Sequence, residues 1–343
     1  TLGADGSAEK ITVTAVGDRL GATGTLTVTP ISADHAVDAP LVNVAETTRL
    51  RTVIAQCEAD CAPGSEGPAA LVPGSILDVT DKVVDGQLDY TFPTDGTRWA
   101  VIDFQQTASG LVGQRGGYTA TQPNYVVDHL GRGGVDIQAD FWDENILTDA
   151  VKANLDEVGG GAIFEDSLEL GESQKWTWSF LEQFEERRGY DATEVLPALA
   201  GIGIQGSHEA AFEIGEVGDK AREDYRETVS DLFIDEYVTP MQSWAQTHGL
   251  DFRVQAYGLP TSTSHASSAA GIPEGESLNF GSPNPLGAEQ NYRAVSGGAH
   301  LAGKDIVSVE CCAVFFGGYR SGMAGPNIGG QFSDSGEGSV LGG

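Results

Sequence analysis

Positive charge is what this chain has least of. Fifty acidic residues stand against 19 basic ones in 343, a formal net charge of −31 at pH 7. Such a surface repels phosphate backbones and anionic headgroups, which excludes nucleic acid and membrane surfaces as partners. The acids are spread along the chain instead of gathered in a tail. That pattern predicts a heavily hydrated, salt-adapted surface whose self-repulsion salt would screen. Long apolar runs are missing as well: none approaches the ~20 residues that span a bilayer. Cysteine is scarce, with four residues as Cys57 and Cys61 in CEADC and the neighbours Cys311 and Cys312. Adjacent cysteines converge poorly on one metal, which argues against structural zinc. A Cys57–Cys61 disulfide is expected if the protein is exported, and buried thiols at 311 and 312; the compartment stays open between secreted and cytoplasmic.

Several catalytic signatures are absent too. No Gly-x-Gly-x-x-Gly or Walker loop opens a helix, which weakens nucleotide binding. No Gly-x-Ser-x-Gly elbow supports a serine nucleophile, and no His-Glu-x-x-His supports a metalloprotease. The chain opens at Thr1 without a charged-then-apolar leader and ends as abruptly, and we read it as a piece of a longer polypeptide.

Hydrophobic content of 40% and aromatic content of 8% support a sizeable core. The length suits one barrel-type domain or two ordinary ones. Residues 1–122 read as a β-rich portion. KITVTAV and GTLTVTP alternate with strand period around a glycine turn. QLDYTFPTDGTRWAVIDFQQ predicts a hairpin turning at PTDG. From about Tyr125, strand and helix alternate. IQADFWDENILTDAVKANLDEV predicts one helix and GAIFEDS a buried strand. Ser179 to Glu182 fits a capping box, with Arg187, Arg188 and Gly189 ending that helix. A long helix carries Tyr225, Val229, Leu232, Phe233, Tyr237, Met241 and Trp244 at helical spacing, and Pro240 should kink it. DFRVQAYG and DIVSVECC read as strands, with a helix over roughly 288–303 between them. Residues 123–325 therefore predict an α/β fold of the (β/α)8, TIM-like type, whole or in part, and 326–343 a flexible Gly/Ser-rich tail.

In that architecture functional groups gather at the C-terminal ends of strands. Glu165, Asp166, Glu169 and Glu172 follow one strand, and Glu310 ends another. Glu274 and Glu276 read as a loop beyond a third. Glycoside hydrolysis needs two carboxyl groups across a glycosidic bond, one protonated to serve the leaving oxygen and one ionised. Glu169, Glu276 and Glu310 supply candidates, and Trp142, Trp176, Trp178 and Tyr257 supply flat faces for sugar C–H groups. Each has a plainer alternative: solvated loop charge for the acids and packing for the tryptophans at a helix start. Asp128 and His129 are candidate substrate or metal contacts, or a loop cap. His300, a further candidate contact, sits on a Gly/Ala-rich helix where a packed residue is the common case.

The segment DSLELGESQKWTWSFLEQFEERRGYDATEVLPAL resembles the signature of the α-L-rhamnosidases of glycoside hydrolase family 106. The similarity continues through REDYRETVSDLF, WAQTHGLDFRVQAYG, IPEGES and GGAHLAGKDIVSVE, and upstream through DGQLDYTFPTDGTRWAVIDF and NYVVDHL. It runs from about Leu77 to Glu310. The resemblance implies a (β/α)-barrel hydrolase removing terminal α-L-rhamnose with inversion, calcium assisting at the sugar hydroxyls. Its substrate would be a rhamnose-containing oligosaccharide, polysaccharide or glycoside. By position, Glu169 in LELG is the implied general acid and Glu310 in SVECC the general base, roles that can be exchanged. Glu276 in PEGES is a third glutamate orienting water, sugar or calcium. Ser277 stands where the family has an aromatic residue, and Cys311–Cys312 replaces a small-then-aromatic pair. A carbohydrate-binding or inactive homologue, and a retaining β-galactosidase-like barrel enzyme, are the rival readings.

Overall fold

A computed structural model describes residues 13–20, 23–32, 47–58, 68–111, 125–168, 174–201, 210–276 and 286–310. The chain forms two compact units, residues 1–50 with 104–110, and residues 51–103 with 111–343. In the first unit β1 (Val13–Leu20) and β2 (Thr23–Val28) pair antiparallel, with Leu20 opposite Thr23 and Val13 opposite Val28.

The second unit begins within β3 (Thr47–Gln56), whose residues Val53, Ile54 and Ala55 are fully buried. β4 (Ala69–Ala70) follows, then β5 (Leu77–Asp78), β6 (Val83–Val84), β7 (Gln87–Leu88) and β8 (Trp99–Thr107). β3 is the middle strand between β5 and β8. The hairpin expected at PTDG is not formed. Asp95 instead accepts the Thr97 amide at 2.9 Å, closing a local turn, and the loop residues Tyr90 and Phe92 cluster with Trp99 at the start of β8. The hairpin in this region joins β6 to β7 through Asp85–Gly86, both at positive φ (51° and 76°), as a type I′ turn requires. Cys57 is disulfide-bonded; Cys61, Cys311 and Cys312 lie outside the described residues.

Helices and strands then alternate. The single helix predicted near Trp142 is two, α1 (Arg132–Asn145) and α2 (Asp149–Val158), because Thr148 caps the second through its hydroxyl. β9 (Gly161–Glu165) leads to α3 (Phe180–Arg188), which ends on Gly189 at φ 80°. Its Ser179 makes no side-chain cap, so the predicted capping box is not closed. The short α4 (Leu196–Leu199) is entirely buried, and β10 (Phe212–Glu213) pairs in parallel with β4.

α5 (Gly215–Leu232) continues through a π-helical turn, Phe233–Val238, into α6 (Thr239–Thr247). Pro240 supplies a physical reason for this widening. A proline in an α-helix lacks one N–H and crowds the carbonyl four residues back. Wider spacing relieves that crowding, and the Thr239 amide reaches Ile234 O, five residues back. The chain finishes with β11 (Leu250–Val254), α7 (Thr263–Ala269), β12 (Ile272–Glu276), α8 (Leu286–Leu301) and β13 (Ser308–Glu310).

β9, β11, β12 and β13 form one parallel sheet in that order. Among the described residues this is a half-barrel of four strands, not the eight of a complete TIM barrel. IPEGE, expected as a loop, is strand β12. Its Pro273 and Gly275 hide the strand pattern, since proline cannot donate to a ladder and glycine adds no side chain. Phe252 and Val254 form the buried helix-side face of β11, with Phe252 against the Tyr237 ring at 6.1 Å. The predicted 326–343 tail lies outside the described residues.

Candidate active site

Strand alternation sends Arg253, Gln255 and Tyr257 to the face opposite Phe252 and Val254. The register places Ser308 beside Glu274 and Glu310 beside Glu276 on the neighbouring strands. Because the strands are parallel, their C-terminal ends gather these groups at one edge.

The floor of the cluster is Glu274, only 1% exposed. Its carboxylate accepts from Arg253 Nε at 2.5 Å, Gln255 Nε2 at 3.0 Å and the Ser308 hydroxyl. A buried carboxylate is tolerated when a cation and hydrogen bonds replace its water, and this set does so. The Arg253 guanidinium also lies over the Phe164 ring at 4.3 Å.

Above the floor, Gln255 Nε2 also donates to Glu310 Oε2 at 2.6 Å. The Gln255 carbonyl meets the Ser167 amide at 3.3 Å and the Tyr257 hydroxyl at 2.6 Å. The same hydroxyl contacts Glu276 Oε2 at 2.6 Å. Burial, then the Glu276 contact and the charges of Glu276, Glu310 and Asp166, push the Tyr257 phenol far above its usual range, so it keeps its proton. The cluster thus joins Glu276, Glu310 and Tyr257 of the expected residues. It adds Gln255, Arg253 and Ser308, which sequence reasoning missed, and places Glu274, read as a loop acid, on strand β12. The available signal was Arg253-x-Gln255-x-Tyr257, polar residues with period two running from the end of a strand of otherwise buried type.

A second polar cluster lies where β9 meets the helices. Tyr237 contacts Glu165 Oε2 at 3.0 Å and Gln138 Oε1 at 2.9 Å. His129 is buried against the Tyr237 ring, with Nε2 3.7 Å from Glu165 Oε1. Asp128 accepts from the Leu130 amide at 2.9 Å and the Thr177 hydroxyl at 2.6 Å, so its carboxylate ties a turn to the start of α3. That turn packs closely: a Cβ on Gly134 would stand 1.9 Å from Asp128 O.

The other expected contacts sit elsewhere. Trp176 stacks on Phe180 at 4.2 Å. His300 is exposed in the last turn of α8. That helix returns the chain to the start of β13, so His300 lies at the opposite end of the sheet from Glu310. Glu169 lies outside the described residues; it follows Leu168, whose amide donates to Tyr257 O at 3.3 Å.

A calcium ion needs six to eight oxygen ligands. Among the described residues no three acidic, histidine or cysteine side chains are grouped to hold a metal. The Glu274 oxygens are taken by Arg253, Gln255 and Ser308. The described residues therefore do not fit the expected calcium. Also among the described residues, no helix is long and apolar enough to cross a membrane.

Comparison with known proteins agrees with this arrangement of strands. A rhamnosidase from Novosphingobium sp. PP1Y has the same fold over 70% of this chain and 23% of its own, with a TM-score of 0.50 and 24% identity. A protein of Formosa agariphila named "Putative beta-glucuronidase" is 26% identical over 242 residues, 68% of this chain and 19% of its own length. The chain thus spans about a fifth of the length of these relatives. The family model described as alpha-L-rhamnosidase, glycoside hydrolase family 106, matches residues 37–321. With most of its length matched, the chain belongs to glycoside hydrolase family 106.

Proposed function

We propose that this chain carries the catalytic centre of an inverting α-L-rhamnosidase, with Glu169 as general acid, Glu310 as general base and Glu276 orienting water or sugar. The observation that carries this is the pairing of Glu276 with Glu310 at the C-terminal ends of adjacent strands, above a neutralised floor. Adjacent strands lie ~4.8 Å apart. An inverting pair stands roughly 6.5–9.5 Å apart to admit water. Two side-by-side glutamates suit one side of the bond, and the acid is drawn from another strand end. Glu169 follows β9, which β11 separates from β12.

The sugar is proposed to be neutral. Near the cluster, Asp166, Glu274, Glu276 and Glu310 face Arg253 as the described cation, and Arg253 is bonded to Glu274. A glucuronide carboxylate would be repelled there, whereas a deoxysugar would not. The test is hydrolysis of aryl α-L-rhamnoside and aryl β-glucuronide by the full-length polypeptide, with and without chelator. Rhamnoside turnover should dominate. Glu169→Gln and Glu310→Gln should each lower kcat/KM by about 10²–10⁴. Full activity in either variant removes that residue from the mechanism. Sugar binding without any turnover would favour the inactive-homologue reading.

A further inference from the structure

Gln255 reaches past its neighbouring strand to hold Glu310. We propose that Gln255 is a positioning residue whose buried amide fixes Glu310 through Oε2 and turns Oε1 toward the attacking water. The catalytic half of this inference rests on the glycosidase reading; the positioning half does not.

The main chain places the amide first. Gln255 directly follows β11, and its N–H continues the ladder to Glu165 O of β9 at 3.1 Å. Its own main-chain carbonyl accepts the Tyr257 amide at 2.9 Å. The residue is completely buried. Its side-chain NH2 donates to Glu274 Oε1 at 3.0 Å and to Glu310 Oε2 at 2.6 Å. Glu274 is itself held by Arg253 and Ser308. The amide oxygen faces the Ser167 N–H at 3.3 Å, which Asp166 Oδ1 also accepts at 2.8 Å. Reversing the amide would set its carbonyl against two carboxylates, so its orientation is fixed by its neighbours.

Strand order gives the contact its meaning. β12 stands between β11 and β13, so the bond from Gln255 to Glu310 crosses two strand spacings, about 10 Å. Only long side chains on one face meet at that distance. Glutamine has the reach, and asparagine, one methylene shorter, does not. Glu310 ends β13 as an exposed residue. Left alone, a glutamate side chain in such a place samples several rotamers. A charge-assisted bond from a rigid, buried donor selects one of them. In the proposed reaction the water oxygen bonds to the anomeric carbon as the bond to the aglycone oxygen breaks. The general acid protonates that leaving oxygen, and Glu310 takes the water proton. A base held at Oε2 presents Oε1 for that proton, and a displacement of about 1 Å costs about 10²-fold in rate.

Two measurements on the full-length protein test this. Crystal structures of wild type and Gln255→Met read the position directly. Glu310 should occupy one rotamer in wild type and several, or a different one, in the variant, with Glu274 unmoved. Kinetics on an aryl α-L-rhamnoside with a good leaving group read the consequence. Gln255→Met should lower kcat by about 10–100-fold while KM changes less than about threefold. In a Glu310→Gln background the same substitution should lower the residual rate by less than about twofold, because no base is left to position. A purely structural role would lower both backgrounds alike. Should Gln255→Met fail to fold, Gln255→Asn, which keeps the amide without its reach, is read in the same way. An unmoved Glu310 in the folded variant, or additive losses in the double variant, overturns the proposal. A wild type that turns over no aryl glycoside, while Glu310 loses its place in the variant, faults the enzymatic reading and leaves the positioning standing.

Discussion

Lys175 shows what burial does to a single charge. Only 5% of the residue is exposed, and burial lowers its ammonium from 10.5 to about 8. Its backbone is held from both sides by the Tyr225 hydroxyl, which accepts the Lys175 amide at 2.9 Å and donates to its carbonyl at 2.8 Å. The position is thus set by the main chain while the side chain bears the desolvation cost. Below about pH 8 both folded and unfolded forms hold the proton, so stability is at its lower level. Between pH 8 and 10.5 the unfolded form still binds a proton that the folded form has released, and stability rises with pH. The full displacement corresponds to about 3 kcal/mol as an upper bound. Urea midpoints of wild type and Lys175→Met at pH 7 and pH 9.5 measure this. The stability difference between the two should change by more than 1 kcal/mol in favour of wild type as the pH rises. A constant difference would show that this lysine ionises alike in both states.

At the scale of elements, the family-like motifs divide into those that build and those that act. Arg188 of the RRGYD segment reaches across to α5, bonding Glu227 at 2.7 Å, Thr228 at 3.1 Å and Asp231. Tyr190 donates to Asp224 at 2.7 Å, and Phe180 packs on Tyr225 at 5.4 Å. LPAL is buried whole as α4. These segments fasten α3 and α4 to α5. Arg188→Ala should destabilise by about 2–3 kcal/mol, because its partners lose a nearly buried cation. Arg188→Lys should recover less than half, since an ammonium lacks the planar fork that serves three acceptors. Denaturant midpoints decide this, and full recovery by lysine would reduce the contact to simple charge.

The same scale explains what could be read from sequence. Helices with apolar stripes and the strand LDFRV were legible because their burial repeats with period, whereas GAIFE, read as a buried strand, buries Ile163 alone. β12 was not, because Pro273 and Gly275 look like a turn and its partners are more than fifteen residues away. Two Asp-Gly pairs compete for a hairpin, and the pair flanked by aromatics lost to the one flanked by valines. Glu276 and Glu310 could be nominated as strand-end acids, but nothing local reveals that Gln255 bonds both Glu274 and Glu310. That fact belongs to the register of three strands.

For the whole molecule the governing quantity is net charge. A formal −31 means that every acidic residue sits in the field of many others, and folding brings them closer. Salt shortens the range of that field from about 10 Å at 0.1 M to about 3 Å at 1 M, which covers neighbours on the surface but spares bonded pairs. We therefore expect the melting temperature to climb by at least about 5 °C between low salt and 1 M sodium chloride, a change equivalent to a few kcal/mol. The choice of cation separates two causes. Screening depends on ionic strength, so sodium and magnesium chlorides matched in ionic strength should give similar shifts. A resident calcium ion would instead act at low concentration by mass action, with a shift that saturates. Melting curves across matched salts, with calcium added at micromolar to millimolar levels, distinguish them. A melting temperature insensitive to sodium chloride would mean that the acids are already compensated within the fold. In that case the salt-adapted reading of the composition fails, and the acidic surface needs another explanation.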